Sequence, residues 1–428
     1  MLEAALRSGA AARRAVFEVF ARRLPPGRRY GVVAGTGRLL DALERFRFTP
    51  EVVDWLVGTG VVDEPTGQWL AGFRFSGDVW GYAEGEVYLP GSPLLVVEAS
   101  FAEAVLLETL VLSVLNHDSA VAAAASRMTT AAAGRPCIEM GSRRTHEEAA
   151  LAAARAAYVA GFTATSNLAA GRRYGLPTTG TSAHAFTLLH DSEKEAFSAQ
   201  VDALGTGTTL LVDTYDVTTA VRRAVEVAGP GLGAVRLDSG DLPQLAQQVR
   251  GLLDELGATR TRIVVTGDLD EHAIAALAAA PVDGYGVGTA LVTGSGASTA
   301  GLVYKLVARA AADGPDAPLL AVAKRSTDKA SIGGRKWALR RRSAAGTAEA
   351  EVVGIGRPPV DDGDDRPLLV PLVRRGEVVG REPLAAARER HERSRAELPP
   401  PGRQLSRGEP AIPTCFESIL PAEEDAHR

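Results

Sequence analysis

Cysteine is scarce: of 428 residues only Cys137 and Cys415 carry a thiol. Two thiols supply neither a disulfide framework nor a cysteine-rich zinc site, and no CxxC or H-x-x-x-H spacing is present. A reducing, cytoplasmic compartment is therefore expected. Long apolar runs are missing too; nothing approaches the roughly 20 apolar residues of a membrane span. The opening MLEAALRSGAAARRAVFEVFARRL is amphipathic and arginine-rich, without the apolar stretch of a secretory signal. A strong charge of one sign is also absent. The net charge of −5 gives no basic field for nucleic acid, so an anionic ligand must be met by a few placed cations. Neither nucleic acid nor membrane is an expected partner. No nucleophile elbow of a Ser–His–Asp hydrolase is visible.

What is present is the material of a large globular protein. Hydrophobic residues make up 46% and charged residues 23%, so an ordinary core can form. The length exceeds the roughly 250–300 residues at which single cores stop growing, which predicts two domains. Residues 2–24 read as a helix, 27–46 as strand, glycine turn and helix, and 69–97 as short antiparallel strands. Residues 101–130 read as an alanine-rich helix. Short apolar segments then recur at 137–140, 162–166, 178–182, 209–213, 234–238, 262–266 and 284–287. Helical stretches at 146–160, 185–203, 217–228, 242–256 and 271–280 fall between them. This alternation predicts an α/β fold with parallel strands, as a barrel or an open doubly wound sheet. From 319 onward, strands at 319–324, 336–341 and 368–373 and a charged helix at 383–398 are expected to fold back on the N-terminal layer. Residues 361–366 read as a solvated acidic loop.

Polar residues gather where those strands end, the functional face of a barrel. VRLDSGDL (235–242) places Arg236, Asp238, Ser239 and Asp241 beside Gly240, a pattern suited to a sugar phosphate. Ser239 or Asp241 capping the next helix is an equally good reading. TGDLDE (266–271) repeats the pattern with Gly267 and Asp268, while Asp270 reads as a cap. YGVGTALVTGSG (285–296), with Gly288 and Thr289, resembles a phosphate loop built from backbone N–H groups. In GSRRTHEE (141–148), Thr145 and Glu148 suit a capping box, and Arg143 or Arg144 offers a fork for phosphate or carboxylate. TTGTSAHAF (178–186) sets Thr181 and His184 among small hydroxyl residues that leave room for a polyanion. A hydrogen-bonded core histidine is the bland alternative. His117, His146, His190 and His272 lack such surroundings and read as structural.

In this order and spacing, RRYGVVAGTGRLL, EMGSRR, GTSAH, LLVDTYD, VRLDSGD, VTGDLDE, YGVGTALVTG and VAKRSTDKASIGGRKWALR resemble the nicotinate phosphoribosyltransferases over nearly the whole chain. The resemblance implies the irregular (β/α) barrel of the type II phosphoribosyltransferases, placed at 106–317. A second α/β domain is built from both chain ends, 1–105 plus 318–428. It also implies that nicotinate and phosphoribosyl pyrophosphate become nicotinate mononucleotide and pyrophosphate, with Mg²⁺ and coupled ATP hydrolysis, in a homodimer. The position of His184 matches a transiently phosphorylated histidine. Thr181, Arg236 and Thr289 match nicotinate contacts, and Arg143, Asp238, Gly267 and Asp268 match the phosphoribosyl pocket. Asp238 and Asp268 are further expected to act on the ribose or a substrate-bound metal, with Ser239, Gly240 and Gly288 beside them. Alternatives are a nicotinamide or quinolinate phosphoribosyltransferase. One departure stands out: the family's Thr-Asp-x-Tyr segment, whose tyrosine stacks on the pyridine ring, is not found before residue 2, and Tyr30 lies too far along to replace it. A catalytically impaired, N-terminally truncated homologue is the corresponding alternative.

Overall fold

The computed structural model describes residues 1–312, 314, 317–324 and 331–418, so residues 325–330 of the VAKRSTDKASIGGRKWALR motif lie outside the described residues. The chain forms two compact units, Met1–Ala120 with Thr299–Arg428, and Val121–Ser298. No helix among the described residues is long and apolar enough to cross a membrane.

In the first unit both chain ends share one antiparallel sheet. Its order is Leu319–Ala321, Leu302–Ala310, Arg14–Ala21, Leu95–Ser100, Asp78–Tyr82, Leu369–Arg374 and Glu377–Val378. The C-terminal strands thus fold back on the N-terminal layer as expected. Residues 2–24 do not form the single helix expected of them. A helix covers only Leu2–Arg7, Gly9 turns at φ 77°, and Arg14–Ala21 is a central strand. The reason is burial on both faces: Ala15, Phe17, Val19 and Ala21 enter one apolar cluster, while Val16 enters another with Val96 and Val307. That two-residue period was masked by alanine and arginine, which favour helices.

A second sheet in this unit runs Arg366–Pro367, Lys336–Arg342, Ala348–Ile355 and Thr414–Ser418. Its Lys336 and Arg340 form buried ion pairs, the first with Glu18 of the antiparallel sheet at 2.7 Å and the second with Glu351 at 2.9 Å. The 361–366 segment is not wholly solvated either. Asp365 is buried and accepts from the Arg341 guanidinium at 3.1 Å, because a charged group withdrawn from water needs a partner.

The second unit is a parallel sheet with helices between its strands. Its order is Ala164–Thr165, Cys137–Glu139, Gly284–Val287, Arg262–Val265, Ala234–Leu237 and Thr209–Leu211, every neighbouring pair parallel. This is the α/β architecture expected, a partial and irregular barrel. The third of the seven apolar segments, 178–182, forms no strand: Thr178 makes one isolated bridge to Thr165. Gly180 and its small hydroxyl neighbours bury too little to hold a ladder. The 185–203 stretch is likewise split, into His184–Leu189 and Glu193–Leu204, where the Ser192 hydroxyl caps the second helix.

Caps decide the other helix starts. Asp216, Asp241 and Asp270 accept from backbone N–H groups of the helices that follow them, each stabilising its helix by ~1 kcal/mol. The Thr145–Glu148 capping box is not made; His146 Nδ1 accepts from the Glu148 N–H at 3.3 Å instead. The 285–296 segment is not an open glycine loop, since Thr289–Val292 forms a short helix directly after its strand.

Candidate active site

Side chains two apart on a strand share a face, so Arg236 and Asp238 project together from the end of Ala234–Leu237, while Val235 and Leu237 pack behind. Arg236 is the hub. Its Nε donates to Thr266 Oγ1 at 2.8 Å, Nη1 to Thr181 Oγ1 at 2.7 Å, and Nη2 to Asp238 Oδ1 at 2.7 Å. The Thr266 hydroxyl also donates to Asp238 Oδ1. Burial pushes the Asp238 carboxyl up, but the Thr266 bond, the Arg236 bond and charge, and His184 outweigh it and hold the group below the usual carboxylate range.

A strand-end acid held this way needs close backbone packing. Gly267 supplies it: at φ 95° a Cβ there would lie 2.3 Å from the Asp238 carbonyl oxygen. Asp213 secures the turn from the other side. Its Oδ2 accepts from the Asp238 N–H at 2.8 Å and from the Ser239 hydroxyl at 2.9 Å.

These groups border a cavity of about 420 Å³. Thr181, Arg236, Asp238, Gly267, Asp268, Gly288, Thr289 and Arg143 all line it, so one cavity gathers most of the residues singled out from the sequence. Both Arg143 and Arg144 line it, where a single inward arginine was expected. Neither has an ion-pair partner among the described residues, and nor has Asp268; all three are exposed. Cations without partners at a concave site suit an anionic ligand.

Three expected residues stand behind this lining. Ser239 is spent on Asp213, and Gly240, at φ 91°, makes the turn. His184 opens its helix with Nδ1 3.1 Å from Thr214 Oγ1 and Nε2 3.8 Å from Asp238 Oδ2. Its side chain is 41% exposed, which fits a reactive imidazole better than a core histidine. Met140, Ser142, Ser166, Thr266 and Gly286 complete the surroundings and were not singled out by sequence reasoning. Thr266 could have been found, since it follows its strand as Asp238 follows the neighbouring one.

As for a metal, the described residues place no cluster of three ligating side chains here; the one such cluster is Asp361, Asp362 and Asp365 in the other unit. Asp238 Oδ1 is already committed, and Asp268 offers a free carboxylate. That donor set fits an ion shared with a phosphorylated substrate rather than a cage made by protein alone.

Comparison with known proteins places the chain in a family. Residues 1–116 match the nicotinate phosphoribosyltransferase N-terminal domain, and residues 121–295 match the quinolinate phosphoribosyl transferase C-terminal domain. A nicotinate phosphoribosyltransferase of Mycobacterium tuberculosis is 62% identical over 423 residues, covering 97% of this chain and 92% of the relative. One from Bacillus subtilis is 37% identical over 317 residues, 72% of this chain and 64% of the relative. Among solved structures, human nicotinic acid phosphoribosyltransferase superposes with a TM-score of 0.82 at 25% identity, covering 97% of this chain and 96% of that one. A nicotinate-nucleotide pyrophosphorylase from Pyrococcus furiosus shares the fold, with a TM-score of 0.73 at 24% identity over 92% of each chain. With a relative this similar across almost its full length, the chain belongs to the nicotinate phosphoribosyltransferase family.

Proposed function

We propose that the protein joins nicotinate to phosphoribosyl pyrophosphate, releasing nicotinate mononucleotide and pyrophosphate. The observation that carries this reading is the single cavity in which an arginine–aspartate pair meets two unpaired arginines. The pyridine nitrogen attacks C1 of the sugar as the C1–O bond to pyrophosphate breaks. Positive charge builds on the ribose ring and negative charge on the leaving group. Asp238, kept ionised by Thr266 and Arg236, stabilises the sugar side. Arg143 and Arg144 receive the diphosphate. Arg236 has N–H donors beyond its three bonds and, with Thr181 and Thr289 nearby, holds the nicotinate carboxylate. Neutral nicotinamide would offer the remaining N–H donors of Arg236 no carboxylate and should be rejected.

Mg²⁺ bound with the substrate, beside Asp268, would neutralise the departing pyrophosphate. ATP coupling is assigned to His184, whose side chain is partly exposed; phosphorylation would add about −1.5 to −2 charges beside Asp238. Exposed Leu168, Leu188 and Leu189 suit a second copy of the chain, and the free thiols of Cys137 and Cys415 suit a reducing cytoplasm.

The test is nucleotide formation from phosphoribosyl pyrophosphate with nicotinate, nicotinamide or quinolinate, each with and without ATP. Nicotinate alone should react efficiently, and ATP should stimulate turnover in the wild type but not in His184→Ala. Preference for either rival pyridine would overturn the assignment. Light scattering checks the dimer.

A further inference from the structure

Glu139 ends the strand Cys137–Glu139 fully buried, yet nothing in the chemistry above uses it. It belongs to a closed ring of hydrogen bonds. The Gly141 N–H donates to its Oε1 at 2.5 Å, and the Thr165 hydroxyl donates to its Oε2. Thr165 Oγ1 accepts in turn from the Asn167 N–H at 2.9 Å, and Asn167 Nδ2 donates to Ser142 Oγ at 2.9 Å. Ser142 follows Gly141, so the ring closes.

Two features separate this carboxylate from ordinary packing. It has no cationic partner among the described residues, although buried acids are normally paired; burial pushes its pKa up, against the bonds from Thr165 and Gly141. It is also an acceptor on both oxygens, a role that a glutamine fills on one side only. The ring also has no slack at Gly141, where a Cβ would lie 2.2 Å from Val292 Cγ1.

We infer that Glu139 is a positioning residue for the diphosphate: it locks the segment carrying Arg143 and Arg144 against the neighbouring segment carrying Ser166. Both segments border the cavity. Two flexible guanidiniums hold a diphosphate well only if their backbone is fixed, because ordering a mobile loop on binding weakens affinity. The inference rests on the phosphoribosyltransferase reading.

The test titrates inorganic pyrophosphate into the full chain by calorimetry, alongside steady-state kinetics and thermal melting. In Glu139→Gln the affinity for pyrophosphate should fall about tenfold and the KM for phosphoribosyl pyrophosphate rise to match, with the KM for nicotinate unchanged. Asn167→Ser keeps a helix cap but loses the arm to Ser142; it should weaken pyrophosphate about threefold with an unaltered melting temperature. Should Glu139→Gln fail to fold, Asn167→Ser decides. Wild-type pyrophosphate affinity in the folded variants, or equal losses for nicotinate and pyrophosphate, would overturn the inference. Wild-type protein that neither binds pyrophosphate nor makes nucleotide overturns the parent reading instead, and this inference with it.

Discussion

Two sets of charged residues, one in each unit, are used in opposite ways. Arg340 and Glu351 in the first unit are both fully buried, with the Tyr82 hydroxyl donating to the same carboxylate at 2.6 Å, and Lys336 and Glu18 are only 2% exposed. These pairs are buried within the fold and face no ligand, although Arg340 Nε and Nη1 find no hydrogen-bond partner. In the second unit Arg236 and Asp238 remain partly exposed, and Arg143, Arg144 and Asp268 wait at the same cavity without partners. A charge sealed among its partners holds architecture, whereas one left open at a strand end is available for chemistry. The comparison predicts that substitutions in the first set alter stability and those in the second alter turnover.

The largest expected effect breaks the sealed set. Arg340→Met leaves Glu351 buried and uncompensated, which should destabilise the first unit by about 3–5 kcal/mol. Trp55, Trp69, Trp80 and Trp337 all lie in that unit, so tryptophan fluorescence during urea unfolding reads it alone. Next, Asp238→Asn should lower kcat/KM by about 10²-fold, because it removes a charge that matters most as the sugar becomes cationic. Its urea midpoint followed by far-ultraviolet circular dichroism, which also reads the helices of the second unit, should not move; a clear shift would blur the contrast between the two sets. Smaller still, Arg143→Ala and Arg144→Ala should each raise the KM for phosphoribosyl pyrophosphate about tenfold, with stability changed by less than ~0.5 kcal/mol. Added salt should shrink both defects.

The subtlest contrast lies in pH dependence. Burial pushes Glu18 up to about 6, against the charge of Lys336. The folded unit therefore keeps a proton that the unfolded chain releases near ~4.3, and its stability should fall as pH rises through that window. Asp238 has the opposite sign. Its pKa is lowered, so its contribution is present above the ordinary carboxylate range and lost as pH drops through the folded value. Replacing the sealed pair together, Glu18→Leu with Lys336→Met, should abolish the fall in urea midpoint between pH 4.5 and 6. A persisting fall would mean that another group carries it.

The legible parts of the sequence were those where local signals agreed. The helix Val217–Ala228 was readable to the residue because Asp216 caps it and Gly229 ends it. The reading of Asp270 as a cap was correct, and Asp238 and Asp268 could be told from their capping neighbours by place in the loop. Long-range pairing was not legible. Arg14–Ala21 is a strand because Leu302–Ala310 and Leu95–Ser100 flank it, and no local pattern announces partners so distant. Ala348–Ile355 and Thr414–Ser418 were missed for the same reason. Glu139 was hidden by its ordinary appearance before Met140; only the ring through Thr165 and Asn167 reveals it.

Thr178 joins Thr165 by one rung, and the sheet has no further strand until Thr209–Leu211. The barrel is thus a cask with one loose stave, and Thr181 and His184 ride on it. Their backbone is held by no strand ladder, so deuterium uptake at 180–183 should outpace that of Arg262–Val265. The unlaced stave thus leaves Thr181 of the lining, and His184 behind it, outside the ladder that fixes Arg236.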